Sequence, residues 1–519
     1  MRRLSGRPNF YRTGMGIAFL VAMFVGAAFC ASEAQDDSAQ PDPAALALRQ
    51  SLTLRQLESS IIEAIASAES SVVAIALVPS RSTGDRTNIE LRPGPFGMSG
   101  VSPAELRPTD PDFLPARYGT GVIVDREGLV LTARHVLEDG YDYYVATSDR
   151  RVRRAHVKAA DPRSDLAVLE LETSARDSDD ATFTPIQFGD ASLLQKGQFV
   201  VALGNPHAIA RDGQACASWG IISNLGRKLP PPIGASSAAE KDTLHHFGML
   251  IQTDAKLNLG TSGGALLDLD GRMIGLTTCL ASIAGYEQAA GYAIPVDEAF
   301  LRAVDMLRRG REVEYGFLGV QLDDLTLVER SKGMSGARVD RVVRGLPGAR
   351  YGLMLDDVIT AVNDSPIYDS DSLVSTVGRL PLEDPLSVSI LRDGRTREFE
   401  MQLAKYPVPG RIATEETVPA WRGLSVDYST VLDDLGAWRS LGLRYYDEGV
   451  LATSVEEDSP AAQAGLRVGM VVVRLGGRAT GTPIEFTDAA QGIGEGTVTL
   501  ECIDPSASGV RISLSIRPE

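Results

Sequence analysis

Residues 258–266 read NLGTSGGAL, which places Ser262 inside a glycine-rich turn. The backbone N–H groups of such a turn can hold an anion, and a serine among them suits the attacking group of an acyl transfer. We therefore predict that Ser262 is a nucleophile and that Gly260, Thr261 and Ser262 form its oxyanion hole.

A nucleophilic serine requires an imidazole base, and the imidazole requires an acid that fixes its tautomer. His135 follows two apolar segments joined by a glycine turn, GVIVDREGLVLTARHV at residues 121–136, which predicts a strand hairpin. Asp165 stands directly before the apolar segment LAVLEL at residues 166–171. The sequence therefore predicts a triad of His135, Asp165 and Ser262, in that chain order.

The remaining histidines have no comparable context, and we interpret them as loop or surface residues. The two adjacent ones have no cluster of Cys, Asp or Glu beside them, so the sequence predicts no metal site, and the proposed chemistry requires no cofactor. These histidines are His156, His207, His245 and His246.

The triad order and the local sequences TARH, SDLAVL and GTSGG resemble the chymotrypsin-fold serine proteases, and within them the HtrA/Deg family. The likeness covers about residues 57–519. It implies a mainly β fold, with a chymotrypsin-like double β-barrel protease domain followed by two PDZ-like α+β domains. Further segments carry it: VALGNP at 201–206, GIIS at 220–223, IQTDA at 251–255, GRMIGL at 271–276 and GYAIP at 291–295.

The resemblance implies an exported serine endopeptidase that cleaves unfolded or damaged proteins through an acyl-enzyme. It also implies PDZ domains that bind peptide C-termini, and a homotrimer or a multiple of trimers. The rival hypothesis is a proteolytically inactive chaperone or peptide-binding protein. Thr261 is the local feature that favours this rival, because it replaces the family's usual Asn with a side chain that is stiff at χ1. Ala133 replaces another usual Asn, and we expect that change to be harmless.

Substrate preference is expected to depend on the residue six positions before the nucleophile. In the resembled fold this position, Lys256, lies near the base of the S1 pocket, and Leu257 beside it would form an apolar wall. No acidic residue is present there. We therefore expect cleavage after small aliphatic residues and not after Lys or Arg.

The N-terminus follows a secretory signal pattern. Four arginines precede an apolar run at residues 15–31 and a small-residue site at 32–34, so residues 1–34 are predicted to be a signal peptide. The alternative is an uncleaved membrane anchor, and either way the protein is expected in the periplasm or cell envelope. The net charge of −17 argues against nucleic acid as a partner. Removal of the signal would leave Cys216, Cys279 and Cys502, an odd number whose pairing the sequence leaves open.

Changes in composition along the rest of the chain predict a linker, a domain and two insertions. Residues 35–56 are predicted to be a linker, residues 57–310 the protease domain, and residues 54–70 a helix with apolar residues on one stripe. Two segments without periodicity, 80–117 and 228–246, are expected to be disordered or regulatory insertions. The protease domain is predicted to end in a helix over 296–309.

An internal repeat follows the protease domain. PGARYGL at residues 347–353 recurs as PAAQAGL at 460–466, and both copies resemble the short helix and following strand of PDZ domains. The predicted domains cover residues 311–407 and 418–519. The expected peptide-binding loops are Leu318, Gly319 and Val320 in the first copy and Leu424, Ser425 and Val426 in the second, with Ser425 in the place of Gly319.

Overall fold

The computed structural model describes two compact units, Met1–Leu57 and Glu58–Glu519. A helix, Pro43–Ala68, begins in the first unit and ends in the second. It starts earlier than the predicted Leu54, within the segment assigned to a linker, because the Ala- and Leu-rich residues after Pro43 favour a helix. The described residues are 43–80, 115, 117–172, 183–205, 214–228, 243–278, 290–382, 384–414, 420–431, 449–494, 496–504 and 510–518.

Three sequence predictions lie largely or wholly outside these residues, namely the signal peptide and the two insertions predicted at 80–117 and 228–246. Within the described residues, no helix is both long and apolar enough to cross a membrane.

The first barrel consists of six antiparallel strands in the order β5-β4-β1-β2-β3-β6, and pairing between β5 and β6 closes the ring. Apolar side chains fill its interior, and the central strand β3 is buried along its whole length. Its strands are β1 Val72–Pro79, β2 Arg117–Ile123, β3 Leu129–Ala133, β4 Tyr141–Ala146, β5 Val152–Asp161 and β6 Leu166–Leu171.

The second barrel is also closed and follows the order β10-β11-β12-β9-β8-β7. The helix Glu298–Arg308 follows it, capped by Asp297, whose side chain accepts the N–H of Phe300 at 3.1 Å. Phe300, Val304 and Leu307 form the buried stripe of this helix. The strands are β7 Phe199–Gly204, β8 Cys216–Arg227, β9 Leu250–Thr253, β10 Ala265–Leu267, β11 Met273–Thr278 and β12 Gly291–Pro295.

The next domain packs the helix Ser370–Gly378 against a sheet in the order β14-β15-β16-β18-β19, with β17 on β16 and a small sheet β13-β20 beside it. Its short helices are Leu327–Ser331 and Pro347–Arg350. The strands are β13 Gly316–Phe317, β14 Val320–Asp324, β15 Ala337–Val342, β16 Val358–Val362, β17 Ser365–Pro366, β18 Leu386–Arg392, β19 Arg395–Met401 and β20 Ala404–Lys405.

The chain then returns to the first barrel before the last domain begins. Strand β21, Ile412–Ala413, pairs with β5 at Ala160 and Ala159, and the N–H of Thr414 donates to the carbonyl of Gly310 at 2.9 Å. The first PDZ-like domain is therefore attached to the protease barrel at both of its ends.

The last domain repeats the first PDZ-like domain, with its sheet in the order β22-β23-β24-β26-β27 and the helix Pro483–Gln491 in its core. The predicted fold class, two β-barrels followed by two PDZ-like domains, is confirmed. Its strands are β22 Leu424–Tyr428, β23 Val450–Val455, β24 Val471–Leu475, β25 Arg478–Ala479, β26 Val498–Asp504 and β27 Val510–Ile516, and its short helix is Pro460–Gln463.

The repeat corrects the predicted match between the two peptide-binding loops. Gly319 has φ +71° and its carbonyl accepts the N–H of Val343. Gly423 has φ +77° and its carbonyl accepts the N–H of Glu456 in the same way. The counterpart of Gly319 is therefore Gly423 and not Ser425, which lies within β22. The second copy keeps a glycine where the backbone is left-handed.

A buried charge cluster joins the first PDZ-like domain to the second. The ammonium of Lys405 is 1% exposed and lies 2.9 Å from Glu312 Oε2 and 2.7 Å from Asp427 Oδ2. Arg411 Nε lies 2.8 Å from the other oxygen of Glu312. Glu312 lies at the start of the first PDZ-like domain, and Asp427 belongs to the first strand of the second. We call Lys405, Glu312, Asp427 and Arg411 the Lys405 cluster.

Candidate active site

The predicted triad residues come together where the two barrels meet. His135 lies in a short 3₁₀ helix after β3, Asp165 in the turn between β5 and β6, and Ser262 in the loop between β9 and β10. The Nδ1 atom of His135 is 2.7 Å from Asp165 Oδ2, and its Nε2 atom is 3.0 Å from Ser262 Oγ. Such a chain of contacts lets an imidazole accept the serine proton while a carboxylate holds its orientation.

Asp165 is held by backbone as well as by side chain. Its Oδ1 accepts the N–H of His135 at 2.9 Å, and its carbonyl accepts the N–H of Arg134 at 2.8 Å. The residue has φ +57°, a left-handed conformation that Asp tolerates better than most residues. Burial raises the pKa of the Asp165 carboxyl, but the charge and hydrogen bond of His135 and the field of His245 outweigh burial, and the pKa falls below its usual range.

His245 is the site residue that sequence reasoning missed. The interpretation of His245 as a loop or surface residue is wrong, because its side chain is fully buried and its Nε2 atom lies 3.7 Å from Asp165 Oδ2. Neither ring nitrogen has a hydrogen-bond partner among the described residues. The 3₁₀ helix Leu244–Phe247 carries it, anchored where the N–H of Leu244 donates to the carbonyl of Arg163 at 2.8 Å.

The other histidines take no part in this arrangement where the structure describes them. His156 is exposed on β5, 3.4 Å from Glu170, as expected for a surface residue. His246 is half-buried, and His207 lies outside the described residues. No group of three or more metal-ligating side chains occurs within the described part of the chain.

The turn that carries Ser262 is bonded to the first barrel. The N–H of Thr120 donates to the carbonyl of Ser262 at 3.0 Å, and the Thr120 hydroxyl donates to the carbonyl of Gly260 at 2.6 Å. Gly263 has φ +85°, and a Cβ atom there would lie 2.1 Å from the carbonyl oxygen of Thr120. Only glycine permits this approach, so the strand β2 fixes the position of the candidate nucleophile.

Thr261 stabilises the turn rather than adding a donor to it. Its N–H and its hydroxyl both donate to the carbonyl of Asn258, at 3.0 and 2.7 Å, and its carbonyl accepts the hydroxyl of Thr277 at 2.5 Å. Because the Thr261 N–H is used inside the turn, the proposed oxyanion hole is restricted to the N–H groups of Gly260 and Ser262.

The two predicted pocket residues differ in burial. Lys256 is exposed, and its carbonyl accepts the hydroxyl of Ser218 at 2.8 Å. Leu257 is half-buried and packs against Gly291, where an added Cβ atom would lie 2.8 Å from Leu257 Cδ1. Leu257 therefore has the surroundings of an apolar pocket wall, whereas Lys256 lies at the surface.

The first PDZ-like domain has a groove beside its predicted peptide-binding loop. The groove has a volume of about 90 Å³ and is lined by apolar side chains of the loop, of β14 and of the helix Ser370–Gly378. Leu318, Gly319 and Val320 are all part of its lining.

In the second PDZ-like domain, groups of the corresponding loop form hydrogen bonds within the domain itself. The N–H of Leu424 donates to the carbonyl of Trp421 at 3.0 Å, and the guanidinium of Arg422 donates to the carbonyls of Ile516, Gly494 and Gly496. Ser425 and Val426 are buried within β22. This loop therefore offers fewer unpaired donors than its counterpart.

Two family models match the chain. A trypsin-like peptidase domain matches residues 119–276, and a PDZ domain matches residues 316–403. The solved structure of the HtrA-type protease AlgW with a decapeptide is 26% identical, covers 67% of this chain and 99% of its own, and has a TM-score of 0.47.

Two curated relatives identify the family of this chain more specifically than the domain matches do. A probable periplasmic serine endoprotease DegP-like of Chlamydia trachomatis is 31% identical over 73% of this chain and 70% of that protein. The periplasmic serine endoprotease DegP of Escherichia coli K12 is 31% identical over 68% of each chain. Their shared designation as periplasmic supports export of this chain. With the peptidase and PDZ matches, these likenesses show that the chain belongs to the HtrA/Deg family of serine endopeptidases that carry PDZ domains.

Proposed function

We propose that Ser262, His135 and Asp165 hydrolyse peptide bonds through an acyl-enzyme. The observation that carries this assignment is the unbroken contact chain from Asp165 Oδ2 through His135 to Ser262 Oγ, with steps of 2.7 and 3.0 Å. These lengths lie within the range for proton transfer between positioned groups.

In the proposed mechanism the Ser262 oxygen attacks the substrate carbonyl carbon while His135 Nε2 takes the hydroxyl proton. The N–H groups of Gly260 and Ser262 stabilise the oxyanion of the tetrahedral intermediate. His135 then gives its proton to the leaving amine, and the C–N bond breaks. A water molecule attacks the acyl-enzyme in the same manner and restores the Ser262 hydroxyl. Asp165 keeps the imidazole oriented and stabilises its charged form.

The substrates that we propose are unfolded or damaged polypeptides outside the cytoplasm, and the proposed assembly is a trimer or a multiple of trimers. The support is family membership together with a groove that suits a peptide terminus. An uncleaved, anchoring N-terminal segment remains the alternative to a removed signal peptide. N-terminal sequencing of the native protein separates them, because cleavage near Gln35 contradicts the anchor and Met1 in a membrane fraction contradicts removal.

The test of the catalytic assignment is the Ser262→Ala variant. Removal of a triad nucleophile typically costs on the order of 10⁶ in kcat, so cleavage of casein should vanish while the circular dichroism spectrum stays that of the native protein. Substantial cleavage by the variant would contradict the assignment. If the native protein does not cleave casein, this result would favour the alternative of a proteolytically inactive chaperone or peptide-binding protein.

A further inference from the structure

Leu259 is an exposed apolar residue in the loop that carries Ser262. It is 57% exposed, whereas Leu257, two residues before it, is half-buried against Gly291. A single exposed leucine on a protein surface is ordinary. Leu259 differs from such a residue because it directly precedes Gly260, whose N–H group belongs to the proposed oxyanion hole. Its position is therefore fixed relative to any peptide bond that Ser262 attacks.

The backbone on both sides of Leu259 is held by hydrogen bonds. The hydroxyl of Ser218 donates to the carbonyl of Lys256 at 2.8 Å, and the hydroxyl of Thr120 donates to the carbonyl of Gly260 at 2.6 Å. Gly260 has φ +91°, a conformation that glycine adopts without strain. Leu259 therefore belongs to an ordered loop, and this loop presents its side chain to solvent.

The distance from Leu259 to a bound substrate follows from covalent geometry. An oxyanion lies about 2.7–3.1 Å from the nitrogen whose N–H group binds it. The Cα atom of Leu259 is two bonds from the Gly260 nitrogen, a distance of about 2.4 Å. The Cα atom of Leu259 is therefore at most about 5.5 Å from the oxygen of the reacting carbonyl. From there a leucine side chain reaches van der Waals contact with the residues beside that carbonyl.

The surroundings of the loop indicate which side of the scissile bond Leu259 faces. Before Leu259, Leu257 packs against Gly291 of β12, where we expect the pocket for the residue that precedes the scissile bond. After Leu259, the loop packs on β7, since an added Cβ atom on Gly204 would lie 3.1 Å from the Cβ atom of Thr261. Leu259 thus lies between the pocket wall and β7, beside the residue that follows the scissile bond.

We propose that Leu259 contacts the first residue after the scissile bond, the P1′ residue, and selects apolar side chains at that position. This inference rests on the proposed function of Ser262. The physical reason is that an apolar P1′ side chain removes part of Leu259 from water, whereas a charged side chain would lose some of its own hydration there.

This preference has a consequence for the class of substrate. With a small aliphatic residue expected before the bond, the site favours two consecutive apolar residues. Such pairs are typical of buried strands, whereas apolar and polar residues alternate along strands with one solvated face. The contacts of Leu257 and Leu259 therefore favour segments that become accessible only when a polypeptide unfolds.

The test uses two internally quenched ten-residue peptides that differ only in the P1′ residue. Both have valine before the scissile bond, and the residue after it is leucine in one peptide and glutamate in the other. The parent protein should cleave the leucine peptide with a kcat/KM about fivefold higher or more. Mass spectrometry of the products identifies the bond that is cut, so the P1′ residue is known in every reaction.

Leu259→Lys should lower the ratio of the two kcat/KM values by about tenfold, because its ammonium attracts glutamate and offers less apolar contact to leucine. Leu259→Ser removes the apolar contact without adding a charge, so it should bring the ratio toward one. Leu327→Lys, at an 82% exposed position of the first PDZ-like domain, is the matched control and should keep the ratio of the parent protein.

An active Leu259→Lys protein with the ratio of the parent would overturn the proposal. An equal fall in the cleavage of both peptides would also overturn it, because a structural effect on the loop acts on every substrate alike. If Leu259→Lys has no measurable activity, the ratio in Leu259→Ser decides in the same way.

The outcome for the parent protein separates this proposal from the proposed function. A parent that cleaves both peptides without preference refutes the role of Leu259 and leaves the triad assignment in place. If the parent cleaves casein but neither peptide, the residues after the cut bonds in casein decide, and the absence of apolar enrichment there refutes the proposal. A parent that cleaves no substrate contradicts the proposed function, and the inference about Leu259 with it.

Discussion

The Nε2 atom of His245 lies 3.7 Å from the Oδ2 atom of Asp165, which is the same oxygen that faces His135 Nδ1. The candidate acid thus lies between two imidazoles, one in the proposed triad and one carried by the segment after β8. At 3.7 Å the contact is too long for a hydrogen bond, so His245 acts on Asp165 through its field. A shift of less than about 1 Å would bring the two atoms to hydrogen-bond distance.

We expect His245→Phe to lower kcat by about tenfold with KM nearly unchanged, because Asp165 loses one of the two imidazoles that favour its charged form. His245→Asn restores a donor and should recover part of the loss. His156→Phe, at an exposed position, is the matched control and should change neither constant. An unaltered kcat in His245→Phe would contradict a positioning role.

The same variant makes a prediction about acid stability. The pKa of Asp165 is lowered in the folded protein, so its contribution to stability is present above the unfolded value of 3.8 and is lost as the pH falls through the folded value. Without His245 the folded pKa rises toward 3.8, and acid unfolding followed by circular dichroism should begin at a higher pH. A midpoint that stays in place would show that His245 does not affect this carboxyl.

Gly263→Ala should abolish most activity, because its Cβ atom would lie 2.1 Å from the carbonyl oxygen of Thr120 and displace the Ser262 turn. A displacement of about 1 Å can cost about 100-fold in rate. Gly352→Ala is the control, since Gly352 has a similar φ of +84° but no atom within 4 Å of an added Cβ. It should lower stability by about 1 kcal/mol without loss of kcat/KM. Equal activities of the two variants would contradict this account of the turn.

Cleavage is expected after small aliphatic residues. Leu257 packs beside Gly291 as an apolar wall, and Lys256 adds positive charge at the surface nearby, which disfavours Lys or Arg at the cleaved position. Mass spectrometry of casein fragments gives the distribution of cleavage sites. A majority of basic residues at P1 would refute this specificity.

Lys405→Met should destabilise the protein by about 3–5 kcal/mol at neutral pH, because Glu312 and Asp427 lose a buried partner. The difference in unfolding free energy between the parent protein and the Lys405→Met variant should become smaller at acidic pH. Burial already raises the pKa of Glu312 and Lys405 opposes that rise, so the variant protonates Glu312 more readily. The measurement is the urea midpoint at several pH values, with the exposed Lys332→Met as control. A constant difference across pH would contradict the proposed role of Glu312.

Burial lowers the pKa of Lys405, but the charges of Asp427 and Glu312 outweigh it, and the net pKa is raised. Its contribution to stability is therefore complete below the unfolded value of 10.5 and disappears only as the pH rises through the folded value. At physiological pH the Lys405 cluster should remain intact.

The fold class and the grouping of the triad were predictable because each triad residue lies in a motif next to an apolar strand. The role of His245 was not predictable, because the sequence before it has no periodicity and only tertiary packing brings His245 close to Asp165. The side chain of Arg163, two residues before Asp165, lines the groove of the first PDZ-like domain, and no local pattern in the sequence predicts this contact between domains. Gly423 was mismatched because the sequences LGV at 318–320 and LSV at 424–426 are alike, and only the backbone conformation shows that the left-handed glycine of the second copy precedes Leu424.

Strand β21 determines at which positions the chain can be cut to separate the first PDZ domain from the protease domain. Because Thr414 returns to within 2.9 Å of Gly310, residues 311–413 form an insertion with closed ends rather than an appendage on a flexible tether. A fragment that stops at residue 310 would expose the edge of β5 beside Ala159 and Ala160, and such edges recruit other strands. Conversely, excision of residues 311–413 would leave two ends that a short turn could rejoin, but it would also remove Val313, Tyr315 and Val408 from the buried core of the barrels.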